Sequence, residues 1–303
     1  MPELQRFTSV SFRNYKALRQ YSKSAKRIKD PVQLQTVFSV LGSNLNPTLT
    51  QLAKSRRALF LEGKDFQIFG AFARKLGRQA VANRSDFAVI SVDGYNPQKV
   101  ADLAKGMELT LGGTILKAVI FDRDYRSEQE VSSTKTELQR FSVLVHIHQR
   151  KEIENYLLVP QAIERAIARK ITEHNKRTDD NIRFDEDVQS KLETLSDPMK
   201  HMVSAQFLAR RSAYDKTKAP ALDPATITQR LLEEFEMIWN AWEQRCMVLP
   251  GKELLSNLNR YAQERYKVTL TSTAIIDAMQ VNEVPTEITA LIHGLDSFRQ
   301  QSI

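Results

Sequence analysis

The sequence has one cysteine, Cys246, among 303 residues. A single thiol rules out an internal disulfide and any cage of thiolates around a metal, and it makes the reducing cytoplasm the expected compartment. No apolar run approaches the roughly 20 residues needed to span a bilayer, and the N-terminus lacks an apolar signal core, so no membrane partner is expected. Ser-His-Asp hydrolysis finds no Gly-x-Ser-x-Gly to support it. A phosphate-binding loop requires Gly-x-x-x-x-Gly-Lys followed by Ser or Thr. The only Gly-Lys pairs, Gly63-Lys64 and Gly251-Lys252, are followed by Asp65 and Glu253. No such loop is present in this sequence.

What is present is an ordinary globular composition, with 42% hydrophobic and 26% charged residues, long enough for one large or two medium domains. A formal charge of +8 favours a polyanionic partner, because each neutralised phosphate releases counterions. The excess clusters at Arg13, Lys16, Arg19, Lys23, Lys26, Arg27 and Lys29, and again at Lys54, Arg56 and Arg57. Such clustering predicts a nucleic-acid face.

In chain order, Val10 and Phe12 suggest a short strand, Lys23 to Lys29 an exposed linker, and Val32 to Leu41 a helix closed by Gly42 and Pro47. From Ala58 onward strands alternate with helices. Ala58 to Leu61, Phe87 to Val92, Lys117 to Phe121 and Phe141 to Ile147 read as buried strands, separated by helical patterns such as Phe66, Phe69, Phe72, Ala73 and Leu76. Four such units imply an α/β fold with a mainly parallel sheet covered by helices on both faces.

The third of these strands runs into Asp122-Arg123-Asp124. Side chains on a strand repeat every two residues, so Asp122 and Asp124 are expected to leave the sheet on one side and hold one cation between them. Taken alone, so short a pattern reads first as a solvated strand end. Two further acidic pairs follow strands, Glu62 with Asp65 and Glu152 with Glu154. In parallel sheets functional groups gather beyond the carboxyl ends of strands. Three acidic groups on one rim repel one another unless a cation lies among them, and carboxylate oxygens suit Mg2+ or Mn2+.

Leu61-Glu62-Gly63-Lys64-Asp65-Phe66, Phe121-Asp122-Arg123-Asp124 and Arg150-Lys151-Glu152-Ile153-Glu154-Asn155-Tyr156-Leu157-Leu158 together resemble the TOPRIM domain of OLD-family (overcoming lysogenization defect) proteins. The resemblance implies a metal-dependent nuclease module with Glu62, Asp65, Asp122, Asp124, Glu152 and Glu154 as metal ligands, in a phage-defence setting. Pro250 to Leu255 is similar to a basic element of the family's helical tail, which implies Lys252 as an electrostatic partner of the scissile phosphate. Phe7 to Leu18 resembles the first strands of the family's ATPase, and Lys23 to Leu52 the segment joining ATPase to TOPRIM. The implied organisation is an ATPase remnant with linker helix at 1–54, a TOPRIM domain at 55–160 and a helical region at 161–303. A separate ATPase or a second copy of the chain is the implied protein partner.

The helical region carries apolar faces at Ile163, Ile167 and Ile171, at Ile227, Leu231, Phe235, Ile238 and Trp242, and at Leu254, Leu255, Leu258, Tyr261 and Ala262. These are core stripes rather than cofactor contacts. Asp179-Asp180 reads as a loop and Asp185-Glu186-Asp187 as a helix N-terminus. His146 and His148 stand two apart on a strand, but no third zinc ligand is evident, so a buried, hydrogen-bonded role is expected. Cys246 is expected to pack rather than react. The function expected is DNA phosphodiester hydrolysis by one or two divalent cations, with Glu62, Asp122, Asp124 and Lys252 as catalytic residues; the alternative is a catalytically silent DNA-binding or regulatory remnant.

Overall fold

Arg57–Glu62 (β1) is apolar on both sides because both its faces are covered. The chain is described by a computed structural model over residues 46–63, 65–92 and 94–302. The expected strand at Val10 and Phe12, the helix at Val32 to Leu41, the N-terminal basic cluster and Lys64 lie outside the described residues. Asn46–Ser55 (α1) leads into β1, followed by Phe66–Lys75 (α2) and Gln79–Ala82 (α3). Ala88–Val92 (β2), Pro97–Leu111 (α4), Leu116–Phe121 (β3), Glu128–Gln139 (α5) and Leu144–Ile147 (β4) complete the α/β part.

The four strands are all parallel in the order β2-β1-β3-β4. Alternation along the strands divides the interior in two. Leu59, Leu61, Ala118 and Ile120 face one core with Phe66, Phe69 and Phe72 of α2. Ala58, Phe60, Val119 and Phe121 face the other, with Leu52 of α1, Val100 and Ala104 of α4, and Val131 and Leu138 of α5. This is the doubly covered sheet the continuous apolar runs predict.

Beyond β4, a 3-10 turn at Ile153–Leu157 opens a helical region. It comprises Pro160–Thr178 (α6), Val188–Ser196 (α7), Lys200–Lys218 (α8), Pro224–Asn240 (α9), Trp242–Val248 (α10), Gly251–Tyr266 (α11), Ser272–Ala278 (α12) and Thr286–Gln300 (α13). Its apolar stripes join the first of the two cores without a break at residue 160: Ile163 of α6, Leu254 of α11, Ile275 of α12 and Leu291 of α13 share it with β1 and β3. Asp187 caps α7 through the Ser190 amide at 2.9 Å, as the acidic run there predicts. No helix among the described residues is long and apolar enough to cross a membrane.

Two boundaries differ from the sequence reading. The fourth strand begins at Leu144 rather than Phe141, because α5 unwinds through Arg140 and the Ser142 amide still bonds the Leu138 carbonyl at 3.0 Å. The α9 stripe ends on Trp239, which is buried, because Ala241 breaks the helix in an extended conformation and puts Trp242 on the next one.

Candidate metal centre

Because all strands are parallel, their carboxyl ends form one rim, and the loops leaving it carry the acidic motifs. Glu62 is the last residue of β1. Gly63 then turns the chain with a φ of 57°, a conformation that glycine adopts at little cost. Asp65 sits at the start of α2 but gives its side chain to no amide there, so the carboxylate is not consumed as a cap. Asp122 follows β3 directly. Together with Glu152 and Glu154 after β4, with Lys252 in the first turn of α11, and with Thr271 and Ser272 leading into α12, these residues line one cleft of about 790 Å³.

Asp124 does not line that cleft. The strand ends at Phe121, so the period of two does not extend to residue 124, and Asp124 adopts a left-handed φ of 48°. Its amide bonds the Lys151 carbonyl at 2.8 Å and its carboxylate pairs with Arg126 at 2.7 Å. Arg126 is itself stacked over the Tyr95 ring at 3.6 Å. The structure therefore brings Glu62, Asp65, Asp122, Glu152, Glu154 and Lys252 together and turns Asp124 toward an arginine.

The crowding shows in the acidities. Asp65 is pushed up to about 7 by burial and then by Glu154 and Glu62. Asp122 is driven well above the usual carboxylate range by burial, then by Asp65 and Glu62. Glu154 is raised by burial and by Glu152. Such acids prefer to fold protonated, so the stability they permit is greatest at low pH and falls as pH rises through about 7. Buried His148, pushed down to about 4, acts in the opposite sense only below its ordinary value of 6.5. Above pH 6.5 the acids therefore decide the slope. We expect the melting temperature of cation-free protein to fall between that pH and about pH 8, and millimolar Mg2+ to recover most of the fall. Thermal melts at the two pH values, with and without cation, check this; a flat cation-free profile contradicts it.

Glu152 ties the third motif to the helical region. One carboxylate oxygen accepts the Lys252 amide at 2.6 Å and the other the Lys151 ammonium at 2.6 Å, so Glu152 caps the N-terminus of α11. Burial works to lower the Lys151 pKa, but Glu152, then Asp124 and Asp122, hold it above its ordinary value. Behind Glu152 stands Asn155, fully buried, whose amide nitrogen donates to the Cys246 and Leu249 carbonyls at 2.8 Å each and whose amide oxygen accepts from the Glu152 backbone at 3.1 Å. Gly251 passes so close that an added Cβ would lie 2.8 Å from the Asn155 nitrogen. With Asn155 pinned on several sides, Gly251→Ala is expected to cost about 1–3 kcal/mol, read as a lowered urea midpoint at unchanged slope.

His146 and His148 do have a third neighbour. Glu287, in the first turn of α13, places Oε1 3.0 Å from His146 Nε2, while His146 Nε2 lies 3.2 Å from His148 Nδ1. Sequence spacing does not reveal Glu287, because only tertiary packing of α13 against β4 delivers it. The same holds for Thr271 and Ser272 in the cleft. Cys246 is buried and its thiol is pushed up to about 12, chiefly by burial, which leaves it protonated and inert as expected.

No family model and no curated protein matches the chain. Among solved structures, the C-terminal region of the Burkholderia pseudomallei OLD protein is similar at 14% identity with a TM-score of 0.35, covering 81% of this chain and 98% of that one. The C-terminal region of the Xanthomonas campestris pv. campestris OLD protein is similar at 14% identity and a TM-score of 0.35, over 80% of this chain and 96% of that one.

Proposed function

We propose that this protein is a divalent-metal-dependent nuclease that hydrolyses DNA phosphodiester bonds in the acidic cleft at the carboxyl rim of its sheet. The observation that carries this reading is Asp122: it is desolvated among like charges, and its Oδ1 is buried with no hydrogen-bond partner among the described residues. A buried carboxylate oxygen without a donor is costly unless a cation supplies the missing charge.

The donor set fits a hard cation, Mg2+ or Mn2+, since every candidate ligand is a carboxylate. Asp122, Glu62, Asp65 and Glu154 would hold it. When bound, such a cation supplies Lewis-acid polarisation of the phosphate and a more acidic water.

The remaining roles fall to the chain's own groups. Lys252 faces the same cleft and offsets negative charge on the phosphate. Glu152 fixes where Lys252 stands by accepting its amide, and is in turn fixed by Lys151. Asp124 holds Arg126 against Tyr95 rather than facing the cleft, so its part is to shape the loop after β3. The three acidic motifs and their resemblance to OLD-family TOPRIM domains agree with this assignment.

Purified protein incubated with supercoiled and linear DNA in Mn2+ or Mg2+ tests the proposal. Nicked or shortened products that disappear in excess chelator are expected. Cleavage persisting in chelator overturns the mechanism; DNA binding without any metal-dependent cleavage overturns the activity and leaves a binding protein.

A further inference from the structure

A second group of metal-binding character lies beside the carboxylate cleft and is chemically different from it. His146 is on β4, His148 follows directly after that strand, and Glu287 comes from α13. The separations are 3.0 Å from His146 Nε2 to Glu287 Oε1, 3.2 Å from His146 Nε2 to His148 Nδ1, and 3.9 Å from His148 Nδ1 to Glu287 Oε1. A triangle with these sides lies on a circle of radius about 2.0 Å, which is the length of a zinc bond to nitrogen or oxygen. One ion can therefore reach all three atoms without any of them moving.

From this geometry we infer that His146, His148 and Glu287 form a binding site for zinc or a similar transition metal, separate from the carboxylate cleft. Imidazole nitrogens select such metals over Mg2+. Three protein ligands leave a fourth position for water or a further ligand; the His146 and Glu287 side chains are 18% and 11% exposed, whereas His148 is 1% exposed.

The surroundings are those of a held ligand set. His148 is stacked on Phe69 at 5.8 Å and packed against Tyr156 at 5.2 Å. Glu287 is oriented by the Gln149 amide at 2.9 Å and by the Tyr156 hydroxyl. Without an ion, Glu287 accepts from His146 and His148, a hydrogen-bonded cluster of the same three atoms that a bound metal would replace. The site also has an outlook onto the cleft. His148 Nε2, the nitrogen left free by ligation through Nδ1, lies 3.9 Å from Asp122 Oδ1. Ligation at Nδ1 would fix the proton on Nε2 and turn it toward that carboxylate. The site goes beyond the proposed hydrolysis and does not depend on it.

Titration of chelator-stripped full-length protein with Co2+ provides a test on the wild-type chain. A visible ligand-field absorption saturating at one equivalent, displaced by one equivalent of Zn2+ and unaffected by millimolar Mg2+, is expected. Competition with a coloured zinc indicator should then show Glu287→Gln and His146→Gln binding zinc at least about 100-fold more weakly, because even groups outside the coordination shell are worth 10–100-fold. Glu173→Gln, in an exposed pair with Lys170 on α6, should bind zinc within about 3-fold of wild type. A wild-type titration without saturable absorption overturns the site, as does zinc affinity that survives both triad substitutions or collapses in Glu173→Gln.

Discussion

Asp122→Ala is expected to abolish metal-dependent DNA cleavage, a loss of about 10³-fold or more, while leaving the cation-free protein at least as stable as wild type at pH 8. The two halves of this expectation have one cause. Asp122 is desolvated beside Asp65, Glu62 and Glu152, and its Oδ1 has no hydrogen bond among the described residues. In the absence of a cation it is a liability to the fold, so its removal relieves repulsion and offsets the small cavity left behind. In the presence of a cation it is, on the proposed function, the group that holds it. A nicking time course paired with thermal melts reads both effects. Activity within about 10-fold of wild type, or a large drop in cation-free stability, would place Asp122 in a different role.

Asn155→Leu is expected to destabilise the protein by about 3–5 kcal/mol, although it preserves size and apolar burial. The substitution strands the buried Cys246 and Leu249 carbonyls and the part-buried Glu152 amide, three backbone groups that Asn155 connects with one planar side chain. Each stranded group costs about 1–3 kcal/mol, and relaxation recovers part of the sum. Urea denaturation measures the loss; a change below about 1 kcal/mol would show that water replaces the amide without penalty. Cleavage should also fall in the folded fraction, because the Glu152 to Lys252 contact rests on the same side chain.

How much of this was legible in the chain follows from which contacts are local. Leu59 and Phe60 are both fully buried although they point to opposite faces, and that forces an unbroken apolar run, the pattern by which buried parallel strands announce themselves. Glu62, Asp122 and Glu152 could be grouped because strand ends in a parallel sheet share a rim. Asp124 could not be placed: one residue in the left-handed region reverses a side chain's direction, and no periodicity encodes that. Glu287 was beyond reach for another reason. It lies 138 positions beyond Gln149 in sequence, and only the packing of α13 decides which acid arrives there.

The absence of a packing break at residue 160 has a thermodynamic consequence. The cleft is walled from one side by strand ends and from the other by Lys252 and Thr271, which belong to α11 and the start of α12. Whatever occupies the cleft is therefore linked to the docking of the helical half, and linkage is reciprocal. A cation or substrate that binds only the assembled cleft strengthens the seam between the two halves of the chain. Anything that pries α11 from the sheet weakens the ligand by the same free energy. The helices behind the rim are thus a lever on affinity, reachable by substitutions that touch neither carboxylate nor phosphate.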